Sequence, residues 1–244
     1  MEKLNKFKSL PHKILFYFGF IVVLIFLSLS YWQLNRYQMN KTITYEKENQ
    51  MNIQINQINE LDIKKIHLVG FSLGALISRH FAAEHKDRLS SLNLHASIYK
   101  RSIEQKRVVE NRFELLKTDR PASKDRSIRR WFTAEYIKNN PEMYKKIYSM
   151  LDDNNPENFI SAYKLFVFYQ DDDEMLDKIT TSTLVTTGQN DVGSTKEMAI
   201  NLSENIKNAK YAEIRNGKHL CSIECSEEYN KILENFIDKN YDES

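Results

Sequence analysis

Three residues far apart along the chain, Ser72, Asp191 and His219, carry the chemistry of nucleophilic acyl transfer. A serine hydroxyl is a poor nucleophile until a base takes its proton, and the base needs an acid partner to hold its tautomer. Ser72 lies in Gly70-Phe71-Ser72-Leu73-Gly74, a G-x-S-x-G sequence. The apolar run at Ile66–Val69 reads as a buried parallel strand, and Ala75, Leu76, Ile77, Phe81 and Ala82 recur at helical spacing. A turn this tight between strand and helix needs the flanking glycines to let the backbone close. It lifts the Ser72 hydroxyl clear of the fold and aims the backbone N–H of Leu73, at a helix N-terminus, toward the same spot.

Asp191 ends Gly188-Gln189-Asn190-Asp191, turn chemistry that closes the β-branched stretch Ser182–Thr187. His219 follows Gly217 and Lys218, just after a short strand at Ala209–Arg215. All three residues would then lie at the carboxyl ends of parallel strands, where open α/β sheets build their sites. The other histidines are weaker candidates. His67 is a packed or edge residue of the first strand, His80 and His85 ride the following helix, and His95 ends a strand with no acid placed to orient it. Asp171, Asp172 and Asp173 read as a solvated charge run.

The positioning elements alternate. Arg88–Ala96, with Leu89, Leu92 and Leu94, is a second parallel strand. Residues 102–177 contain no glycine and show helical periodicity in blocks, such as Val108, Val109, Phe113 and Leu116, so they read as a helical cap inserted between strands. Most of the cap aromatics (Phe132, Tyr136, Tyr144 and Tyr163 among them) pack helices together. Trp131, with Phe71 beside the serine, is a candidate for substrate contact. Met198, Leu202 and Ile206 mark a helix, and Ser226–Lys239 a final one whose apolar side carries Ile232, Leu233, Phe236 and Ile237.

Upstream, Ile14–Trp32 contains no charged residue and is long enough to cross a bilayer as a helix. Lys3, Lys6, Lys8 and Lys13 precede it, Tyr31 and Trp32 fall where an aromatic belt would lie, and no A-x-A-like cleavage site follows. The expectation is a single-pass membrane anchor over residues 1–36, with the bulk of the chain outside. A polar linker or helix at 37–60 and the α/β unit at 61–244 follow it. Net charge is +2, from 35 basic and 33 acidic side chains, which gives no electrostatic case for a nucleic-acid partner. Cys221 and Cys225 are the only cysteines, too few for a disulfide framework or a zinc site. Neither a metal nor a cofactor is called for.

Two resemblances add to this. From about Leu61 onward the chain resembles α/β-fold hydrolases, most of all 3-oxoadipate enol-lactonases and related small esterases. The matching segments are I-H-L-V-G-F-S-L-G, R-W-F-T at Arg130 to Thr133, T-L-V-T-T-G-Q-N-D ending at Asp191, and G-K-H-L followed by Ile223-Glu224. That resemblance implies Ser72 as nucleophile, His219 as general base and acid, Asp191 as its orienter and a small ester or lactone as substrate. About the first 45 residues resemble the Surfeit-locus family of cytochrome oxidase assembly factors, through Tyr31-Trp32-Gln33-Leu34-Asn35-Arg36 and Lys41. That family's second membrane helix is absent here.

Such hydrolases place several strands before the serine turn, one with a His-Gly loop whose N–H completes the oxyanion hole. Only about 33 residues separate Trp32 from Ile66, and they hold no strand-turn-strand pattern and no His-Gly pair. The expectation is an incomplete α/β-hydrolase fold: a parallel half-sheet with flanking helices and a helical cap, behind a transmembrane helix. Its first strand would keep an open edge that a strand-donating protein partner could cover. The activity would be impaired; the alternative is a non-catalytic remnant or a membrane-anchored binding protein.

Overall fold

The structure is a computed structural model and describes residues 55–240. Ile14–Trp32 and the Surfeit-like residues through Lys41 lie outside the described residues. Among the described residues, no helix is long and apolar enough to cross a membrane. The described chain opens with a helical stretch at 55–60, whose Ile55 and Ile58 pack into the main core. Arg88 ties the link that follows it, donating to Asn59 Oδ1, Ile63 O and Lys64 O at 2.7, 2.8 and 2.9 Å.

Four strands form one sheet in sequence order: β1 (Ile66–Phe71), β2 (Leu89–His95), β3 (Thr183–Gly188) and β4 (Ala209–Ile214). Every neighbouring pair is parallel. Parallel strands need crossovers, and these are α1 (Leu73–Glu84), a helical insert and α8 (Lys196–Glu204). The insert runs between β2 and β3 as α2 (Ile103–Thr118), α3 (Arg120–Trp131), α4 (Ala134–Asn139), α5 (Pro141–Asp152), α6 (Pro156–Val167) and α7 (Asp173–Asp177). The short α9 (Cys221–Glu224) and α10 (Ser226–Asp238) follow β4.

Alternation along the strands sorts the core into two faces. Leu92, Leu94 and Val185 meet Leu76 and Phe81 of α1 and Met198 and Leu202 of α8 on one side. Leu184 and Ile214 meet Tyr229, Leu233 and Phe236 of α10 on the other. Each such side chain contributes roughly 1.5–3 kcal/mol by leaving water. β2 departs from a purely apolar strand, because Asn93 and His95 are buried on the α10 face. Asn93 donates to Leu184 O and Thr186 Oγ1 at 2.9 and 3.1 Å and accepts from Tyr229 OH at 3.0 Å, so this polar group is satisfied.

Each break in the insert has its own start signal. Ser102 and Gln105 form a capping box on α2, while Asp119, Thr133 and Asn155 cap α3, α4 and α6. Pro141 and Pro156 open α5 and α6, where the missing N–H costs nothing. As expected, most insert aromatics serve packing: Phe132 stacks on Tyr136 at 5.0 Å, and Tyr163 meets Phe113 at 6.2 Å.

The Asp171–Asp173 run is a correction to the sequence reading. Asp171 pairs with the fully buried Arg79 at 3.2 Å and accepts the Lys100 N–H at 2.8 Å. Asp172 caps α7, and Asp173 takes the Tyr99 hydroxyl at 2.8 Å and Lys100 at 2.9 Å. The run fastens the root of the insert. Asp172 and Asp173 are exposed, as a solvated run would be, but Asp171 is largely withdrawn from solvent, and the partners of Asp171 and Asp173 arrive from α1 and the β2–α2 link.

Gly188 shows how tightly the strand ends are drawn together. A Cβ there would lie 2.3 Å from Lys218 O and 2.5 Å from Gly217 O, backbone atoms of the loop after β4. Gly188→Ala should therefore destabilise by about 1–3 kcal/mol through overpacking. At Gly193 a Cβ would meet only Asp191 Oδ1 at 3.4 Å, so Gly193→Ala should stay within about 0.5 kcal/mol of the parent. Urea midpoints at unchanged slope check the contrast.

Candidate active site

The turn from β1 into α1 holds Ser72 at φ 52° and ψ −115°, a conformation rarely adopted by a residue with a Cβ. Among the described residues no glycine has positive φ, so the flanking glycines do not relieve this dihedral strain. Gly70 serves close approach instead: a Cβ on it would sit 2.8 Å from Ala75 Cα and 2.8 Å from Gly74 O. The Ser72 N–H is fixed by donating to His95 O at 2.9 Å. Leu73 opens α1, which places its N–H among the first-turn donors that have no partner within the helix.

The loops after β3 and β4 are zipped together by main-chain and amide bonds. Gln189 N–H donates to Ile214 O at 2.9 Å, Asn190 N–H to Gly217 O at 2.8 Å, and Asn216 N–H to Gln189 Oε1 at 2.9 Å. This brings Asp191 and His219 together. Asp191 Oδ2 lies 2.7 Å from His219 Nδ1, and His219 Nε2 lies 3.1 Å from Ser72 Oγ. Three side chains from three strand ends thus form one hydrogen-bonded line.

Asp191 is buried, with 5 % of its surface exposed. Burial alone would push its carboxyl pKa up. The charge of His219, its hydrogen bond, and the Gly193 and Ser194 N–H groups donating to Oδ1 at 2.8 and 3.1 Å outweigh that, leaving it below the usual carboxylate value. His95 sits beneath the line, its Nδ1 3.0 Å from Thr186 Oγ1. Burial, and then the charge of His219, pull its pKa down to about 3, so it stays a neutral imidazole. His67 pairs with Ser91 Oγ at 2.8 Å and His80 with Tyr169 OH at 3.2 Å, both away from the line.

Phe71 and Trp131 flank the imidazole, their rings 5.1 and 6.4 Å from that of His219. A cavity of about 340 Å³ at the root of the insert is lined by Ile98, Lys100, Arg101, Lys106, Tyr169 and Asp171, among others, and by none of the three aligned residues. Among the described residues no cluster of His, Cys, Asp and Glu is arranged to hold a metal ion, and both cysteines are free thiols. Burial raises the Cys221 and Cys225 thiols, the latter to about 11.

One group at the site was not singled out by residue type. Glu224 Oε1 accepts from the Thr133 N–H at 3.0 Å and from the Thr133 hydroxyl, and Oε2 accepts from the Lys218 N–H at 3.4 Å. The sequence signal was present, since R-W-F-T and Ile223-Glu224 are two of the segments carrying the hydrolase resemblance.

A profile described as the alpha/beta hydrolase fold matches residues 41–224. The chain is 26% identical over 187 residues to the (E)-2-((N-methylformamido)methylene)succinate hydrolase of Acinetobacter baylyi, spanning 75% of this chain and 69% of that one. Among solved structures, the enol-lactonase from Burkholderia xenovorans superposes with a TM-score of 0.69 at 23% identity, covering 79% of this chain and 73% of that one. A thermophilic esterase from Thermogutta terrifontis gives 0.68 at 25% identity, covering 80% and 72%. These matches support the hydrolase resemblance. They do not show the Surfeit-locus one.

The depressed Asp191 pKa has a consequence for acid stability. A carboxyl whose folded pKa lies below its unfolded value of about 3.9 stabilises fully above that value, and loses the contribution as pH falls through the folded pKa. Asp191→Asn removes the titration, so its unfolding free energy should fall less steeply than the parent's below about pH 4. Urea unfolding across that window measures both slopes.

Proposed function

From the premise that the chain belongs to the α/β hydrolase fold family, we propose that it is a serine hydrolase cleaving a small carboxylic ester or lactone. The observation that carries this reading is the line Ser72–His219–Asp191, at 3.1 and 2.7 Å, on a strained strand-to-helix turn. Ser72 Oγ attacks the acyl carbon as its proton passes to His219 Nε2. The carbonyl electron pair moves to oxygen, where the Leu73 N–H meets it. Collapse of the tetrahedral species expels the alkoxide, which takes the proton from His219, and leaves an acyl-Ser72 ester. Water, deprotonated by His219, then attacks that ester and releases the acid and the free hydroxyl. Asp191 holds the imidazole with Nδ1 protonated and balances its transient charge. Phe71 and Trp131 form the apolar walls next to the acyl group.

Esterase and lactonase relatives support an acyl substrate of modest size. The first strand lies at one end of the sheet, and its residues are half-buried except for the buried Gly70. Among the described residues Leu73 supplies one oxyanion donor; a missing second donor would lower turnover by about 10²- to 10³-fold. Residues 14–32 would tether the enzyme to a membrane, on the sequence alone.

A fluorophosphonate probe tests the assignment. Wild-type protein should label at Ser72, Ser72→Ala should not, and Asp191→Asn should hydrolyse p-nitrophenyl acetate about 10⁴-fold more slowly. A folded wild-type chain that neither labels nor hydrolyses short esters or lactones overturns the reading and leaves a non-catalytic binding role.

A further inference from the structure

His219 is held on both sides by contacts that lead into the helical insert. The residue before it, Lys218, gives its N–H to Glu224 Oε2 at 3.4 Å and its ammonium to Arg129 O at 3.0 Å. The residue after it, Leu220, gives its N–H to Trp131 O at 3.0 Å. Leu220 also packs, buried, with Ile128 and Phe132 of the insert. Glu224 completes the connection, because its other oxygen receives both the N–H and the hydroxyl of Thr133, the cap residue of α4. Its own backbone is anchored to the same loop, with the Glu224 N–H on Leu220 O at 3.0 Å.

Resting on the hydrolase reading above, we propose that Glu224 is a positioning residue that couples the seating of the helical insert to the placement of His219. The carboxylate suits this because both its oxygens are acceptors, and the three donors it faces come from two separate parts of the chain. A glutamine cannot replace it. Its single amide oxygen can serve Thr133 or Lys218, and its NH₂ would then point at another N–H donor. Near-isosteric replacement therefore cuts the link while keeping the volume. Loosening it lets the imidazole drift from Ser72 and frees the Trp131 wall at the same time.

The experiment compares wild type, Glu224→Gln, Thr133→Val, Thr133→Ser and the double variant Thr133→Val/Glu224→Gln. For p-nitrophenyl acetate, whose small acyl group draws little binding from the Trp131 wall, Glu224→Gln should lower kcat about 10- to 100-fold with KM little changed. For a bulkier ester KM should rise as well. Thr133→Val should lose about 3- to 10-fold in kcat, with Thr133→Ser restoring it. The double variant should be no worse than Glu224→Gln, since both changes break one link. Amide hydrogen exchange gives a readout independent of turnover: Glu224→Gln should speed exchange at residues 133–136 and 218–220 together. Unchanged kcat in folded Glu224→Gln, effects that multiply in the double variant, or faster exchange in only one of the two segments overturns the coupling. A wild type that fails to label with fluorophosphonate sinks the hydrolase reading alone, and the exchange data still decide the link. If Glu224→Gln does not fold, the Thr133 pair decides it.

Discussion

Ser72 is held at φ 52° and ψ −115°, a backbone state that costs a non-glycine residue about 1–3 kcal/mol, and most of the surrounding structure bears on that strain. The N–H of Ser72 is pinned to His95 O across the β1–β2 ladder, and β2 is buried on both faces. Ala75 N–H returns to Ser72 O, so the helix starts within one turn of the strained residue. Gly70 lets α1 lie close enough for that return, since a Cβ there would also meet Ser78 Oγ at 2.4 Å. Relaxing the turn would swing Oγ away from His219, so the strain stays stored only while α1 is held in place.

Arg79 on α1 supplies much of that hold. Its guanidinium is fully buried, yet it donates to Ser97 Oγ at 2.6 Å and to Ile98 O, pairs with Asp171 and lies 5.9 Å from the rings of both Tyr99 and Tyr169. The helix that follows Ser72 is thereby joined to the segments of chain at the entry to and the end of the insert. A buried ion pair of this kind adds little net stability, but breaking it leaves an uncompensated charge, worth about 3–5 kcal/mol. Arg79 Nε finds no hydrogen-bond partner among the described residues. The insert and the serine turn are therefore tied together at this end.

What could be read from the chain, and what could not, divides by the range of the interaction. That Ser72, Asp191 and His219 meet was legible because each follows a strand marked by its own apolar or β-branched run. The strands themselves were legible for the same local reason. Asp171 was misread as solvated because its partner Arg79 is 92 positions away and ion pairing has no period. The place of Glu224 has no signal in the spacing of residues because Thr133 lies 91 positions away and two of its three donors are backbone N–H groups, which no side-chain pattern announces. Gly70, two positions before the serine, belongs to the turn as expected, but it serves backbone approach and not its own dihedral. That distinction exists only in three dimensions.

Two carboxylates bear on one imidazole through different handles, Asp191 at the ring and Glu224 at the backbone beside it. Asp191 grips the ring at Nδ1 and so sets tautomer and tilt, but a single hydrogen bond leaves the ring free to pivot about it. The Ser72–His219 contact, at 3.1 Å, is already at the long end for a hydroxyl donor, and a further drift of about 0.5 Å would end it as a hydrogen bond. The pivot must therefore be stopped at the backbone, and Lys218 and Leu220, the two neighbours of His219, are where the insert takes hold. The insert also carries Trp131, whose ring lies 6.4 Å from that of His219, so on the proposed coupling a displaced wall would displace His219 as well. On the proposed hydrolase reading, a base placed by the same contacts that close the pocket is aligned only when the pocket is formed, which ties proton transfer to a seated acyl group.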